Sequence, residues 1–229
     1  MLSAFIATLI LVIAYKWVNP STTWLMAQRY YVHPKTKLVT PKRNWVSIDN
    51  ISPNMINAVI ASEDNLFMEH YGFDFESIKK ARQGLKKGGK LKGASTISMQ
   101  TAKNVFLWPK RTWTRKAFET MFTVFIEVFW SKERIMEVYL NIIELGPAVY
   151  GTEAASQLYF KNPAVKLTKS NAAMLAAVLP NPIQRNAAKP TAFLKSNQQR
   201  ILRIMSRIDP VSFTKTEPQK KETKKTRKY

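Results

Sequence analysis

Cysteine is absent from the chain, which excludes a disulfide framework and a thiolate metal site and suits the cytosol and the bacterial periplasm equally. Glycine is scarce, at 7 in 229 residues, which argues against a turn-rich all-β fold. Histidine occurs only at His33 and His70, a weak basis for zinc, since no ligand pair has helical spacing. Acidic residues are few: 15 Asp and Glu stand against 36 Lys and Arg, giving a formal net charge of +21. Such an excess calls for an anionic partner, whether nucleic acid, a lipid headgroup surface or a phosphorylated substrate. Residues 215–229 hold seven Lys/Arg and two Glu, so +5 belongs to a tail with the composition of a solvated, disordered extension, and +16 remains for the body.

Hydrophobic residues make up 45% of the chain, enough for a core and too many for global disorder. Residues 1–15 carry no charge. With Val18 they approach the roughly 20 residues that span a bilayer, flanked by Lys16, Trp17 and Trp24 as interfacial residues. No small-residue cleavage site follows, so an uncleaved transmembrane anchor over 1–18 is expected. Lys16, Arg29, Lys35 and Lys37 follow this segment and no charge precedes it, which by itself would retain the body inside the cell. Basic residues upstream of Met1 would remove that conflict.

Pro20, Pro34 and Pro41 mark 19–50 as a linker. Beyond it the periodicity is helical nearly throughout, so an all-α body over 51–208 is expected, followed by a basic disordered tail over 209–229. Ser52-Pro53 is a helix start, with Met55, Ile56, Val59 and Ile60 at helical spacing up to Glu63. Asp74 caps a second helix through Leu85. Residues 86–93, rich in lysine and glycine, read as a mobile loop. Ser95 caps a third helix that stops before Pro109. Thr112 caps a helix to Trp130, and Ser131 one that ends at Gly146. Gly151–Phe160, Thr168–Leu179 and Thr191–Ile208 complete the set. The helix over 113–130 is apolar around nearly its whole circumference, as befits either a central core helix or a membrane-contacting one.

Three clusters carry chemistry. Glu63 stands where the first helix ends; the negative end of the helix dipole favours its protonated form and tunes it towards general-base work, though spacing alone also allows an ordinary exposed glutamate. Beside it Asp64 is suited to accept backbone N–H bonds, and His70 to hold the turn before Gly72. In the second cluster Thr96, Gln100 and Lys103 fall at i, i+4 and i+7. With Ser95 at the helix N-terminus they make either an oxyanion or phosphate cradle or a solvated helix face; this is not a Walker loop. In the third, Arg115 and Glu119 form an i, i+4 pair, and Glu119 in so apolar a helix is costly unless it is paired or holds a cation.

Taken together, Glu63-Asp64-x-x-Phe67-x-x-His70-x-Gly72, Gly93-Ala94-Ser95-Thr96-Ile97 through Gln100, Lys103 and Asn104, Arg115-Lys116-x-x-Glu119, and the run from Lys132 through Ile135, Glu137, Tyr139-Leu140-Asn141, Gly146 and Gly151 to Ala155 and Tyr159-Phe160 resemble, in order, the motifs of the monofunctional biosynthetic peptidoglycan glycosyltransferases of glycosyltransferase family 51. With Leu179-Pro180-Asn181-Pro182 the likeness spans roughly 45–205. These 229 residues leave no room for the penicillin-binding transpeptidase domain of bifunctional relatives, and Ser77-x-x-Lys80 lacks its Lys-Thr-Gly partner. The resemblance implies a lysozyme-like catalytic lobe with a smaller hydrophobic, membrane-associated jaw around 105–130, with the 86–93 loop beside the donor cleft. It implies a polymerase of lipid II in which Glu63 deprotonates the GlcNAc 4-hydroxyl of the acceptor for inverting attack on C1 of the lipid-linked donor. Glu119 resembles the second essential glutamate, handling the donor pyrophosphate with a divalent cation (Mg2+ or Mn2+), Lys103 and Arg111; Ser95, Thr96, Gln100, Asn104 and Arg115 complete that binding set, and Asp64, Phe67, His70 and Gly72 the supporting motif. Met99 departs from the usual Gln-Gln pair, which puts one hydrogen bond near the donor in doubt. The implied partners are lipid II, the growing glycan strand, the cytoplasmic membrane and cell-division or elongation proteins, with no nucleic acid, and the implied location is the inner membrane with the catalytic domain on the periplasmic side. The alternatives are a muralytic enzyme of the lysozyme or lytic transglycosylase type, and a non-catalytic tethered binder of anionic polymers.

Overall fold

The computed structural model describes residues 2–32, 39–86, 95–108 and 112–213. His33, residues 87–93 of the expected loop, Ala94, Arg111 and the tail beyond residue 213 lie outside the described residues. The described chain is mostly helical: α1 (Leu2–Ala14), α2 (Trp24–Tyr31), α3 (Pro53–Glu63), α4 (Phe75–Lys86), α5 (Ile97–Phe106), α6 (Trp113–Phe129), α7 (Lys132–Ile142), α8 (Thr152–Phe160), α9 (Lys169–Val178) and α10 (Ala192–Met205). Most starts are written locally. Thr23, Ser52, Thr96, Thr112, Ser131, Thr168 and Thr191 each accept an N–H from two or three residues ahead, a bond worth about 1 kcal/mol per cap. Asp74 does the same before α4, from Ser77 N at 2.8 Å. At the third helix the cap is Thr96, one residue later than Ser95, because the Thr96 hydroxyl is the one that reaches Met99 N.

α3 and α9 are the central helices. Each buries a run of seven residues, 55–61 and 172–178, as a helix packed on all sides must. They lie against one another with α10 across both, and α5 packs between α6 and α7. The α7 helix stops at Ile142, short of the expected Gly146, because Ile143 turns extended and residues 144–146 pair as a strand. The result is a three-stranded sheet, ordered β1 (Lys42–Arg43), β3 (Val149–Tyr150), β2 (Glu144–Gly146). β1 is parallel to β3 with Lys42 opposite Val149, and β2 is antiparallel to it with Glu144 opposite Tyr150.

Residues 19–50 carry structure of their own, α2 and β1, and are tied to the body: Asn141 holds both backbone groups of Val46, and Glu137 accepts Ile48 N at 2.9 Å. At the other end Asn57 pairs with both backbone groups of Val211, at 2.8 and 2.9 Å. Among the described residues no helix is long and apolar enough to cross a membrane. The 13 residues of α1 extend about 20 Å, against a hydrocarbon core of about 30 Å. α1 docks on α6: Phe5 meets Phe125 edge-on at 5.9 Å, and the Trp130 indole donates to Val12 O at 2.8 Å. Arg134 then donates to Tyr15 O, Val18 O and Asn19 Oδ1. Far from being wholly core, α6 leaves Phe118, Val124 and Val128 exposed and buries Glu119, Phe122, Thr123 and Ile126.

Candidate active site

Glu63 is the last residue of α3, and the chain leaves it through a turn that Asp64 organises. One Asp64 oxygen lies 2.8 Å from His70 Nε2 and the other accepts Ile97 N at 3.0 Å. His70 Nδ1 accepts Gly72 N at 3.1 Å, so the imidazole proton sits on Nε2 and points at Asp64. Thr96 closes the circuit by donating to Gly72 O at 2.6 Å. Phe67 fills the space beneath, fully buried, with the Lys132 ammonium 4.6 Å from its ring. Lys132 also donates to His70 O and pairs with Glu127 of α6, which accepts from Ser98 of α5. The end of α3 and the start of α5 are thereby locked together, and Glu63 meets α5.

Gln100 Nε2 donates to Glu63 Oε2 at 2.9 Å, with a longer contact from Ser62 at 3.5 Å. Burial raises the Glu63 pKa above the ordinary glutamate value; the Gln100 and Ser62 bonds and the charges of Lys103 and Arg200 act the other way. The direction is the one expected from sequence, but its leading cause is desolvation rather than the helix dipole. A raised pKa on a carboxyl whose bonded partners are neutral is the condition of a general base.

Two cavities meet here and share Ser95. The smaller, about 330 Å3, holds Glu63, Ser62, Asp64 and Thr96. The larger, about 630 Å3, is lined by Gln100, Lys103 and Asn104 of α5, by Arg115, Lys116 and Glu119 of α6, and by Tyr139 and Glu144. Ser95, Gln100, Lys103, Asn104, Arg115 and Glu119 are thus brought to one cleft, while Thr96 and Glu63 line the adjoining smaller cavity; Arg111 lies outside the described residues. Glu119 is buried and fully committed: Arg115 Nη1 reaches one oxygen at 2.6 Å and Lys116 Nζ the other at 2.5 Å. Among the described residues, buried Arg115 Nε has no hydrogen-bond partner. Met99 is buried and lines neither cavity.

Sequence reasoning missed several wall residues. Leu25, Gln28 and Arg29 come from α2, where Thr23 as a cap was the available signal. Arg29 donates to buried Glu144 at 3.0 Å, whose pKa burial raises while Arg29 lowers it. Tyr139, fully buried, donates to Gln100 Oε1 at 3.3 Å. Among the described residues no group of three His, Asp or Glu could hold a metal ion, and Glu119 contributes a single carboxylate to the cleft.

The sequence model of the family described as Transglycosylase matches residues 32–206. A biosynthetic peptidoglycan transglycosylase of Bacteroides thetaiotaomicron is 49% identical over 228 residues, covering 98% of this chain and 91% of its own. One of Escherichia coli is 50% identical over 194 residues, covering 84% and 76%, and one of Rhodospirillum centenum 46% identical over 196, covering 86% and 83%. A family match over more than half the chain makes the protein a member of the transglycosylase family.

Proposed function

We propose that this protein is a peptidoglycan glycosyltransferase that polymerises glycan strands, transferring the growing chain from its undecaprenyl pyrophosphate to the GlcNAc 4-hydroxyl of lipid II with inversion. The observation that carries the reading is a half-buried glutamate that accepts, among the described residues, from the neutral donors Gln100 and Ser62, with Gln100 itself in the wall of a cleft that also carries Lys103, Arg115 and Lys116. Glu63 takes the acceptor proton as the 4-oxygen attacks C1 of the donor sugar. The C1–O bond to pyrophosphate breaks, and the departing oxyanion is received by the cleft cations, Arg115 among them. Pyrophosphate is already a good leaving group, so positive charge serves it better than the protonated carboxyl a glycosidase needs. The relatives' names support this substrate class.

A divalent cation, Mg2+ or Mn2+, is proposed to arrive with the pyrophosphate, whose oxygens and water would supply most of its ligands, with Glu119 as the protein carboxylate; it would neutralise charge on the leaving group. Lysozyme-like kinship of the helical body, insertion of α1 in the cytoplasmic membrane with the cleft on the periplasmic side, and recruitment by division or elongation proteins belong to the same proposal. Supporting membrane contact, α1 exposes Phe5, Ile6, Ile10 and Leu11, and the α6 it packs on exposes Phe118, Val124 and Val128.

The test is incubation of detergent-solubilised protein with labelled lipid II and Mg2+, products resolved by size. Wild type should yield muramidase-sensitive polymer and Glu63→Gln none, with folding intact by circular dichroism. Polymer from Glu63→Gln at a substantial fraction of the wild-type rate removes the base assignment; cleavage of finished glycan without polymerisation replaces the whole reading with a muralytic one.

A further inference from the structure

Gln100 can face Glu63 in two ways. Its amide nitrogen donates to the carboxylate, or, rotated by half a turn, its oxygen opposes it. The second arrangement sets acceptor against acceptor and raises the cost of the ionised base. An exposed glutamine would exchange between them; here something selects one. Tyr139, on α7 and fully buried, donates its hydroxyl to Gln100 Oε1 at 3.3 Å, and Gln100 Nε2 in turn donates to Glu63 Oε2 at 2.9 Å.

We propose that Tyr139 is a positioning residue for the base: its hydroxyl fixes the Gln100 amide in the orientation that donates to Glu63. The inference rests on the assignment of Glu63 as the base. Tyr139 is suited to the task because it remains a neutral donor. Its burial, and then the charges of Glu63 and Asp64, push its own pKa well above the ordinary tyrosine value. The other groups bearing on Glu63 do not duplicate it. Lys103 on α5 and Arg200 on α10 act through charge, and Ser62 is the neighbour in α3. Asp64 is taken up by His70 and Ile97 N. Lys80 and Asp74 also line the smaller cavity, with Lys80 on Glu76 and Asp74 on Ser77 N. From α9, the other helix against α3, the buried run 172–178 is entirely apolar. Gln100 is therefore the side-chain amide through which α7 reaches the base.

A hydrogen bond to a charged group holds that group ionised, and its loss moves a carboxyl pKa up by roughly half a unit to one unit. The experiment is the pH profile of lipid II polymerisation, as kcat/KM, for wild type, Tyr139→Phe, Gln100→Leu and the double variant, with Glu63→Gln alongside. A pyrophosphate diester has no proton to lose near neutrality, so the acidic limb belongs to the enzyme. Tyr139→Phe should move that limb upward by about half to one pH unit while the rate above the limb is kept to within about tenfold. Gln100→Leu should move it in the same direction, and the double variant no further than Gln100→Leu alone, because Tyr139 acts through Gln100. A merely structural tyrosine would lower rates at every pH and leave the limb in place. An unmoved limb in Tyr139→Phe, or additive shifts in the double variant, overturns the proposal while a dead Glu63→Gln leaves the base assignment standing. Should the Phe variant not fold, an unmoved limb in Gln100→Leu is equally decisive against it. Polymer from Glu63→Gln would instead remove the base on which the inference rests.

Discussion

Asp64→Asn changes one atom and should be costly. The Asp64 carboxylate serves two donors, His70 Nε2 at 2.8 Å and Ile97 N at 3.0 Å. An asparagine has one acceptor oxygen. If it faces Ile97, the amide nitrogen meets His70 Nε2, which could accept only by moving its proton to Nδ1; Nδ1 is already accepting Gly72 N at 3.1 Å. If it faces His70, the amide nitrogen opposes Ile97 N directly. In either case one buried donor is left without a partner, a loss of about 1–3 kcal/mol, with no cavity to add because the side chains are isosteric. For a body of this size that is a fall in Tm of roughly 2–12 °C. Thermal unfolding followed by circular dichroism in the same detergent measures it. A Tm within 1 °C of wild type would refute the argument that both oxygens are needed. Asp64→Ala, which loses both bonds, should be worse still; an Ala variant no worse than Asn would refute it equally.

Glu63 itself should be a destabilising group at neutral pH. Its folded pKa is raised above the unfolded value, so the folded state holds the proton more tightly, and the stability this brings is complete below the unfolded pKa and lost as pH rises through the folded one. Glu63→Gln should therefore gain on wild type in Tm as pH is raised through that window, and parallel Tm curves for the two proteins would contradict it. Gly72, at φ +86°, should not tolerate alanine: the new Cβ would stand 2.7 Å from Thr123 Cγ2 and 3.0 Å from Glu127 Cγ. Left-handed strain of roughly 1–2 kcal/mol and overpacking of about 1–3 kcal/mol should cost about 2–5 kcal/mol together, read as a lowered denaturation midpoint at unchanged slope; a cost below about 1 kcal/mol would show that the turn gives way.

What could be read from the sequence was what is local. Ser52, Thr112, Ser131, Thr168 and Thr191 announce their helices because a cap acts within three residues, and Glu63 falls at the end of α3 because the apolar spacing that begins at Met55 runs out there. Ser95 and Thr96 are adjacent hydroxyls, and only the backbone path, extended at Thr96, decides which one caps. The strands were not legible: with two or three residues each, they are too short to show a period of two. α2 was hidden by prolines that lie outside it, at 20, 34 and 41. The apolar circumference of α6 did not mean central core, since α1 covers part of it and Phe118, Val124 and Val128 stay exposed. Tyr139 was unreadable as a partner of the base because its hydroxyl meets a glutamine 39 residues away.

The arrangement of the two glutamates argues against hydrolysis more strongly than the charge excess does. A glycosidase divides its labour between one carboxylate and one carboxylic acid, and the acid must keep a proton to hand to the departing oxygen. Glu63 has the environment of a group that binds protons readily, but it is one group, and it faces the smaller cavity. The second glutamate of the cleft, Glu119, accepts from Arg115 on one oxygen and from Lys116 on the other. A carboxyl so placed is already a partner for charge on both oxygens. On the proposed function, an anionic leaving group in the cleft would compete for those same cations, and Glu119 would be the carboxylate left to hold a cation arriving with the phosphates. Exchange of partners at Glu119 is the natural work of a site that receives pyrophosphate; a site that cleaves one neutral sugar from another has no use for it.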